Sequence, residues 1–173
     1  MKSVESPKFI VDINVGKLAR WLRMMGYATL RFDGDDDWRM IITALREGRI
    51  MITKDTQIMK RGVITSGRLR TILITSDEPD LQMQQVRQAL NLDCQFRPFT
   101  ICLECNQPLV ERSKEDIEKL VPPHVFQTQN QYMECPACHR IYWKGTHWQA
   151  MTRRIENFMK GSPKQNIESG NGQ

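Results

Sequence analysis

The chain has 173 residues, a net charge of +5 and a pI near 9.1, which suits one modest domain plus a small accessory module and inclines it toward polyanionic partners. Its apolar runs are only strand-length and Met1-Lys2-Ser3-Val4-Glu5 leads into no hydrophobic segment, so no membrane span or secretion leader is expected. A cytoplasmic location, where thiols stay reduced, is expected instead. Along the chain, Phe9-Ile10-Val11 reads as a short buried strand ending at Asp12. A helix follows, with Val15, Leu18, Ala19, Leu22 and Met25 at three-to-four spacing and Gly26 placed to stop it. Ala28 to Phe32 reads as a second strand. Asp33-Gly34-Asp35-Asp36-Asp37 supplies a turn and a helix N-cap, and the next helix sets Trp38, Ile41, Ile42 and Leu45 on one face. Gly48 ends that helix before a third strand, Ile50 to Thr53, which runs into Lys54-Asp55. A short basic helix or loop around Lys60, Arg61 and Gly62 leads to a fourth strand, Thr71 to Thr75, and then to a helix from Leu81 to Leu90. Cys94 reads as a buried apolar filler.

Strand–helix alternation over residues 1–97 predicts an α/β unit, a parallel sheet with helices on both faces. In such sheets ligands lie beyond the carboxyl ends of the strands. Asp12 and Asp55 stand at two such ends, and Asp35, Asp36 and Asp37 stand where a helix begins after another. Carboxylates brought together repel one another unless a divalent ion neutralises them, and hard oxygen donors suit Mg²⁺ or Mn²⁺. Two such ions about 4 Å apart would activate a water and stabilise the leaving oxygen of a phosphodiester displacement. The same acids also have a plain structural use, as turn residues and as caps that complement a helix dipole. Lys17, Arg20 and Arg23 recur every three residues and read as a basic face opposite the apolar one. That face is expected to track a phosphate backbone, with Arg49 and Lys54 extending it; an ordinary solvated face is the alternative.

Residues 98–150 carry Cys102-Leu103-Glu104-Cys105 and Cys135-Pro136-Ala137-Cys138. Two C-x-x-C pairs, each beside turn-forming residues, have the spacing of a tetrahedral four-thiolate site. Structural zinc is expected there, with a rubredoxin-like iron site as the alternative. A closed site leaves no position open for substrate, so such a zinc builds a module and performs no chemistry. A helix from Lys114 to Leu120 is expected between the knuckles, stopped by Pro122-Pro123, with strands at Tyr132–Glu134 and Ile141–Trp143. Residues 151–173 read as most of a terminal helix, starting near Trp148, and then a disordered tail from Gly161.

Taken together, Phe9-Ile10-Val11-Asp12, Gly16-Lys17-Leu18-Ala19-Arg20-Trp21-Leu22-Arg23 and Gly26-Tyr27 closely resemble the opening motif of a PIN-like nuclease family. That family is named after the C-terminal RNase domain of Mut-seven-type exonucleases. Glu47-Gly48-Arg49-Ile50 through Thr53-Lys54-Asp55 resembles its second motif. The two knuckles and Tyr142-Trp143-Lys144-Gly145-Thr146-His147-Trp148 resemble its zinc ribbon. The resemblance covers residues 8–152 and implies a PIN-like sheet with an acidic divalent-metal site, a fused zinc ribbon and ribonuclease activity. Asp12, the Asp36/Asp37 pair and Asp55 match the family's acidic positions. Ala28 stands where members commonly have Asp, and Ile101 where they often have Arg.

The expectation is therefore a metal-dependent ribonuclease acting on single-stranded RNA. Asp12 and Asp55 would hold Mg²⁺ or Mn²⁺, and Asp36 or Asp37 would complete the site and position the attacking water. His147 reads either as a phosphate or base contact or as a hydrogen-bonded core histidine. Trp143 and Trp148 read as base-stacking surfaces or as the ribbon's own small core. The ribbon is expected to hold substrate or a protein or ribosomal partner. The rival expectation is a non-catalytic RNA- or ribosome-binding adaptor with a vestigial acidic site. A toxin-type tRNA nuclease with a cognate inhibitor shares the chemistry of the first.

Overall fold

A computed structural model describes residues 5–160. Strands β1 (Lys8–Asp12), β2 (Thr29–Phe32), β3 (Arg49–Thr53) and β4 (Thr71–Leu73) form a parallel sheet in the order β2-β1-β3-β4. β1 lies between two neighbours, so both its faces are covered: Phe9 and Val11 enter one core and Ile10 the other. The chain steps from β1 outward to β2, then back across β1 to β3. Right-handed crossovers therefore place the two connecting helices on opposite faces. Helix α1 (Lys17–Met24) joins the larger core through Leu18, Ala19 and Leu22, while α2 (Asp37–Glu47) covers Ile10 and Met51 on the other side. The short α3 (Gly62–Thr65) leads into β4, and α4 (Pro79–Leu90) adds Met83 and Val86 to the larger core. The reversal of strand order makes the carboxyl end of β1 and β3 the topological switch point, where a ligand crevice is expected.

Two details depart from the sequence expectations. On α2 it is Met40, Ile41 and Ala44 that turn inward, whereas Trp38, Ile42 and Leu45 are exposed at 55%, 46% and 39%. Both sets share helical spacing, and the buried one is the set the sheet can reach. The fourth strand is also shorter than expected and stops at Leu73. Gly26 closes α1 at φ +93°, and a Cβ there would stand 2.3 Å from the carbonyl oxygen of Arg97, so only glycine fits.

The second unit is a three-stranded antiparallel ribbon, β5 (Val110–Arg112), β6 (Tyr132–Glu134) and β7 (Ile141–Tyr142), in the order β5-β6-β7. In place of one helix between the knuckles there are two short ones, α5 (Lys114–Ile117) and α6 (Pro123–Thr128). Ser113 caps the first by accepting from the Asp116 N–H, and the Pro122-Pro123 step ends one segment and opens the next. Ile117, Val121, Val125 and Tyr132 form this unit's own small core.

The last helix, α7 (Thr146–Lys160), starts two residues earlier than expected. Its Trp148, Met151, Ile155 and Phe158 pack into the large core beside α1 and α4, and Phe158 meets Trp21 edge-on at 5.4 Å. The chain thus leaves the sheet, builds the ribbon, and returns to the sheet's helical layer. The tail expected from Gly161 onward lies outside the described residues.

Candidate active site and metal centre

Asp12 is the last residue of β1, and its buried carboxylate is held from two sides. Oδ1 accepts from the N–H groups of Asn14 at 2.7 Å and Val15 at 3.2 Å, capping the 3₁₀ turn Ile13–Val15. Oδ2 accepts from the Thr53 hydroxyl and from the Lys54 N–H at 3.2 Å. Thr53 ends β3, and its hydroxyl in turn accepts from the Asp55 N–H at 3.0 Å. One hydroxyl therefore ties together the two strand-end acids on neighbouring strands. The Asp55 Oδ1 accepts from Gln57 and Ile58 N–H groups, so its own turn is fixed as well.

These acids open onto a cavity of about 570 Å³ at the carboxyl end of the sheet. Asp12, Asp33, Asp35, Asp37 and Asp55 line it, with Asn14 and Thr53 among the neutral polar groups. Among the described residues no Lys or Arg lines it. Asp37 and Asp36 part company here. Asp37 lines the cavity, whereas Asp36 is exposed outside it and caps α2 by accepting from the Arg39 N–H at 3.1 Å. Asp33 and Thr53 were not singled out from the sequence. Asp33 looked like turn chemistry, and the signal for Thr53 is a hydroxyl at the last position of an otherwise apolar strand.

The expected basic track breaks up. Lys17 and Arg20 are exposed and line a cleft of about 380 Å³ that meets the acidic cavity at Asp33. Arg20 also pairs with Glu104 at 2.7 Å. Arg23 borders the same cleft but is 8% exposed and largely committed to the fold: it donates to the carbonyls of Thr29 at 2.9 Å, Leu103 at 2.8 Å and Glu104 at 3.0 Å. The geometric reason is rotation, since each three-residue step leaves a helical side chain about 60° short of a full turn, and two steps swing Arg23 about 120° from Lys17. Arg49 is a second correction. It opens β3, at the end of the sheet away from the acids, and it pairs with Glu47 and donates to the Phe9 carbonyl. Lys54 lies outside the acidic cavity's lining and pairs with Asp77.

The four thiols of Cys102, Cys105, Cys135 and Cys138 lie within 4.8 Å of one another and can hold a metal ion such as zinc. The Cys102 and Cys138 sulfurs are 3.8 Å apart. Four sulfurs at about 2.3 Å from a tetrahedral centre are separated by about 3.8 Å, so the donor set fits that ion. The two knuckles share one backbone design. Asn106 donates to the Cys102 carbonyl and His139 to the Cys135 carbonyl, with both donors in the left-handed region at φ +61° and +59°. Burial pushes the Cys102 thiol up, but hydrogen bonds from the Tyr142 hydroxyl and the backbone of Cys105 and Glu104 outweigh it and bring it down to about 7. Cys105 is pushed up to about 12, chiefly by its hydrogen bond with Cys138. Among the described residues, the carboxylates of the acidic cavity do not form a comparably tight group. Cys94 is buried in the large core, as expected of a filler, and burial raises its thiol.

The ribbon docks through its first knuckle. Besides the Arg23 bonds, the Asn106 side-chain oxygen accepts from the Thr29 N–H at 2.7 Å. His147 is exposed where α7 starts and lines a third cavity, between the ribbon and that helix. Among the described residues no helix is long and apolar enough to cross a membrane. No curated protein and no solved structure matches the chain. One family does match, over residues 7–155, and its span takes in the acidic sheet end, both knuckles and most of the helix that returns to the sheet. The chain belongs to that family, described as the Mut7-C RNAse domain.

Proposed function

We propose that the chain is a divalent-metal-dependent, PIN-like ribonuclease that hydrolyses RNA phosphodiester bonds at the acidic cavity. The observation that carries this reading is the meeting of five carboxylates in one cavity at the switch point of a parallel sheet, where among the described residues no cation lines the cavity and only Asp33 has a cationic partner, Arg31 at 2.6 Å. The family's description as an RNase domain supports the same reading. Mg²⁺ or Mn²⁺ held there would polarise the phosphodiester and lower the pKa of a bound water. Asp55 and Asp37 would hold the ion, since each has carboxylate lone pairs facing the cavity to spare. Asp12 would keep Asp55 in place through Thr53, besides offering its own oxygens. Asp36 would serve by starting α2 and so presenting Asp37. Lys17 and Arg20 would take the backbone on the side of Asp33. Zinc at the four thiols would fold the ribbon, and the thiolate site suits a reducing, cytoplasmic setting.

A second reading draws on one observation. Asp12 already accepts four hydrogen bonds, close to the capacity of a carboxylate, so the acids can serve as strand-end locks in a non-catalytic RNA adaptor. The test is cleavage of end-labelled single-stranded RNA by zinc-loaded protein with Mg²⁺ or Mn²⁺, beside Asp55→Asn. The nuclease reading expects metal-dependent cleavage that falls about a hundredfold or more in the variant. Binding without cleavage by either protein would hand the case to the adaptor.

A further inference from the structure

The cleft beside Asp33 runs past Lys17 and Arg20 on the outer side of α1 and reaches Leu103 of the first knuckle. Arg20 and Leu103 also line the cavity between the ribbon and α7, so the three cavities adjoin in a row from the acidic end of the sheet to the ribbon, with Glu104, the partner of Arg20, on the wall of the middle one. That far cavity, of about 280 Å³, is walled by Tyr142 and Trp143, with His124 and His147 exposed beside them and Arg20 where it meets the cleft. Trp143 is half-buried and lies against Gly145. A Cβ on Gly145 would stand 2.7 Å from the indole Nε1, so the absence of a side chain there lets the ring close over the chain. Trp148 also borders this cavity, but its ring is buried in the large core and meets Phe99 edge-on at 4.7 Å. An aromatic wall with a guanidinium at its entrance suits a flat ring attached to a phosphate. Stacking of this kind accepts any base with a free face, and single strands rather than duplexes offer such faces.

We propose that this cavity receives one nucleobase of a single-stranded RNA whose backbone crosses α1 past Lys17 and Arg20 toward the acidic cavity. The far end of that path rests on the nuclease reading; the base site itself does not. The cavity gives grip at a distance from the cut and touches no reacting atom.

The test uses the zinc-loaded Asp55→Asn chain, which keeps the RNA whole, and a fluorescein-labelled nine-nucleotide oligouridylate read by anisotropy at fixed salt. Trp143→Ala is expected to weaken binding about 5- to 100-fold, the effect of one stacked base, and Trp143→Phe to restore most of it. His147→Ala is expected to weaken binding several-fold. A 4-thiouridine version of the strand should photocrosslink to the segment 141–148, and this readout decides the matter if Trp143→Ala fails to retain zinc. Unchanged affinity in a zinc-replete Trp143→Ala chain, or crosslinks confined to other segments, would overturn the proposal. The two readings fail separately. Asp55-dependent cleavage with Trp143-independent binding removes the base site alone, whereas Trp143-dependent binding without cleavage removes the nuclease reading alone.

Discussion

Replacing Arg23 with Met tests whether the ribbon is bolted to the sheet by one buried guanidinium. The substitution keeps the aliphatic stem and deletes the donors to three carbonyls, of Thr29, Leu103 and Glu104. Two of these bonds are buried, and a carbonyl left without a partner there costs about 1–3 kcal/mol. The third is partly solvated and adds at most about 0.5–1 kcal/mol. Against this stands the cost of burying the cation itself, which is why desolvation is the leading influence on Arg23 and lowers its pKa. Relief of that cost returns roughly 1–2 kcal/mol, leaving a net loss of about 3 kcal/mol. With a urea slope of about 2 kcal/mol per molar, the unfolding midpoint of the zinc-loaded protein should fall by about 1.5 M. Tryptophan fluorescence reads this directly. Arg20→Ala, one turn away, breaks only an exposed pair with Glu104 and should cost about 0–1 kcal/mol. A midpoint for Arg23→Met within 0.3 M of the parent, at full zinc content, would refute the clamp and place the docking energy elsewhere.

Thr53→Val removes the hydroxyl between Asp12 and Asp55 while keeping the strand apolar, so cleavage should fall at least tenfold with a stability loss of only about 1–2 kcal/mol. Gly26→Ala forces a Cβ against the Arg97 carbonyl at positive φ, and the thermal midpoint should drop by more than 10 °C. Zinc binding should release about 0.8 more protons at pH 6 than at pH 8, because the Cys102 thiol, brought down to about 7, is protonated at the lower pH and already a thiolate at the higher one. Calorimetry in buffers of different ionisation enthalpy measures the difference. The sign follows from proton competition: affinity for the ion falls with pH because the thiols must shed their protons, and it falls more steeply below about 7, where Cys102 is protonated as well.

The strand–helix alternation and the paired knuckles were legible because each rests on a local signal: apolar runs ending in Asp, glycine stops, and a fixed cysteine spacing. Asp12 and Asp55 could be placed at one end of the sheet from alternation alone. Side-chain direction was harder to read. On α2 two apolar stripes compete, and only the position of the sheet decides that Met40 and Ala44 go inside while Trp38 stays out. Arg23 sits on a three-residue repeat that looks like one face, yet helical rotation carries it into the ribbon junction. Asp33 and Thr53 escaped notice for a related reason. A turn aspartate and a strand threonine are ordinary, and only tertiary pairing gives them a site.

The junction at Thr29 has a consequence for solubility. β2 is the outermost strand of its sheet, with β1 as its one ladder neighbour. An open strand edge of this kind invites another chain to add a strand. Here the Thr29 N–H is taken by Asn106 and its carbonyl by Arg23, so the metal knuckle plugs the ladder where a stranger would begin to zip. With an ion held at the four thiols, stripping it is expected to loosen the plug as well as the ribbon, and metal starvation to show first as self-association along β2.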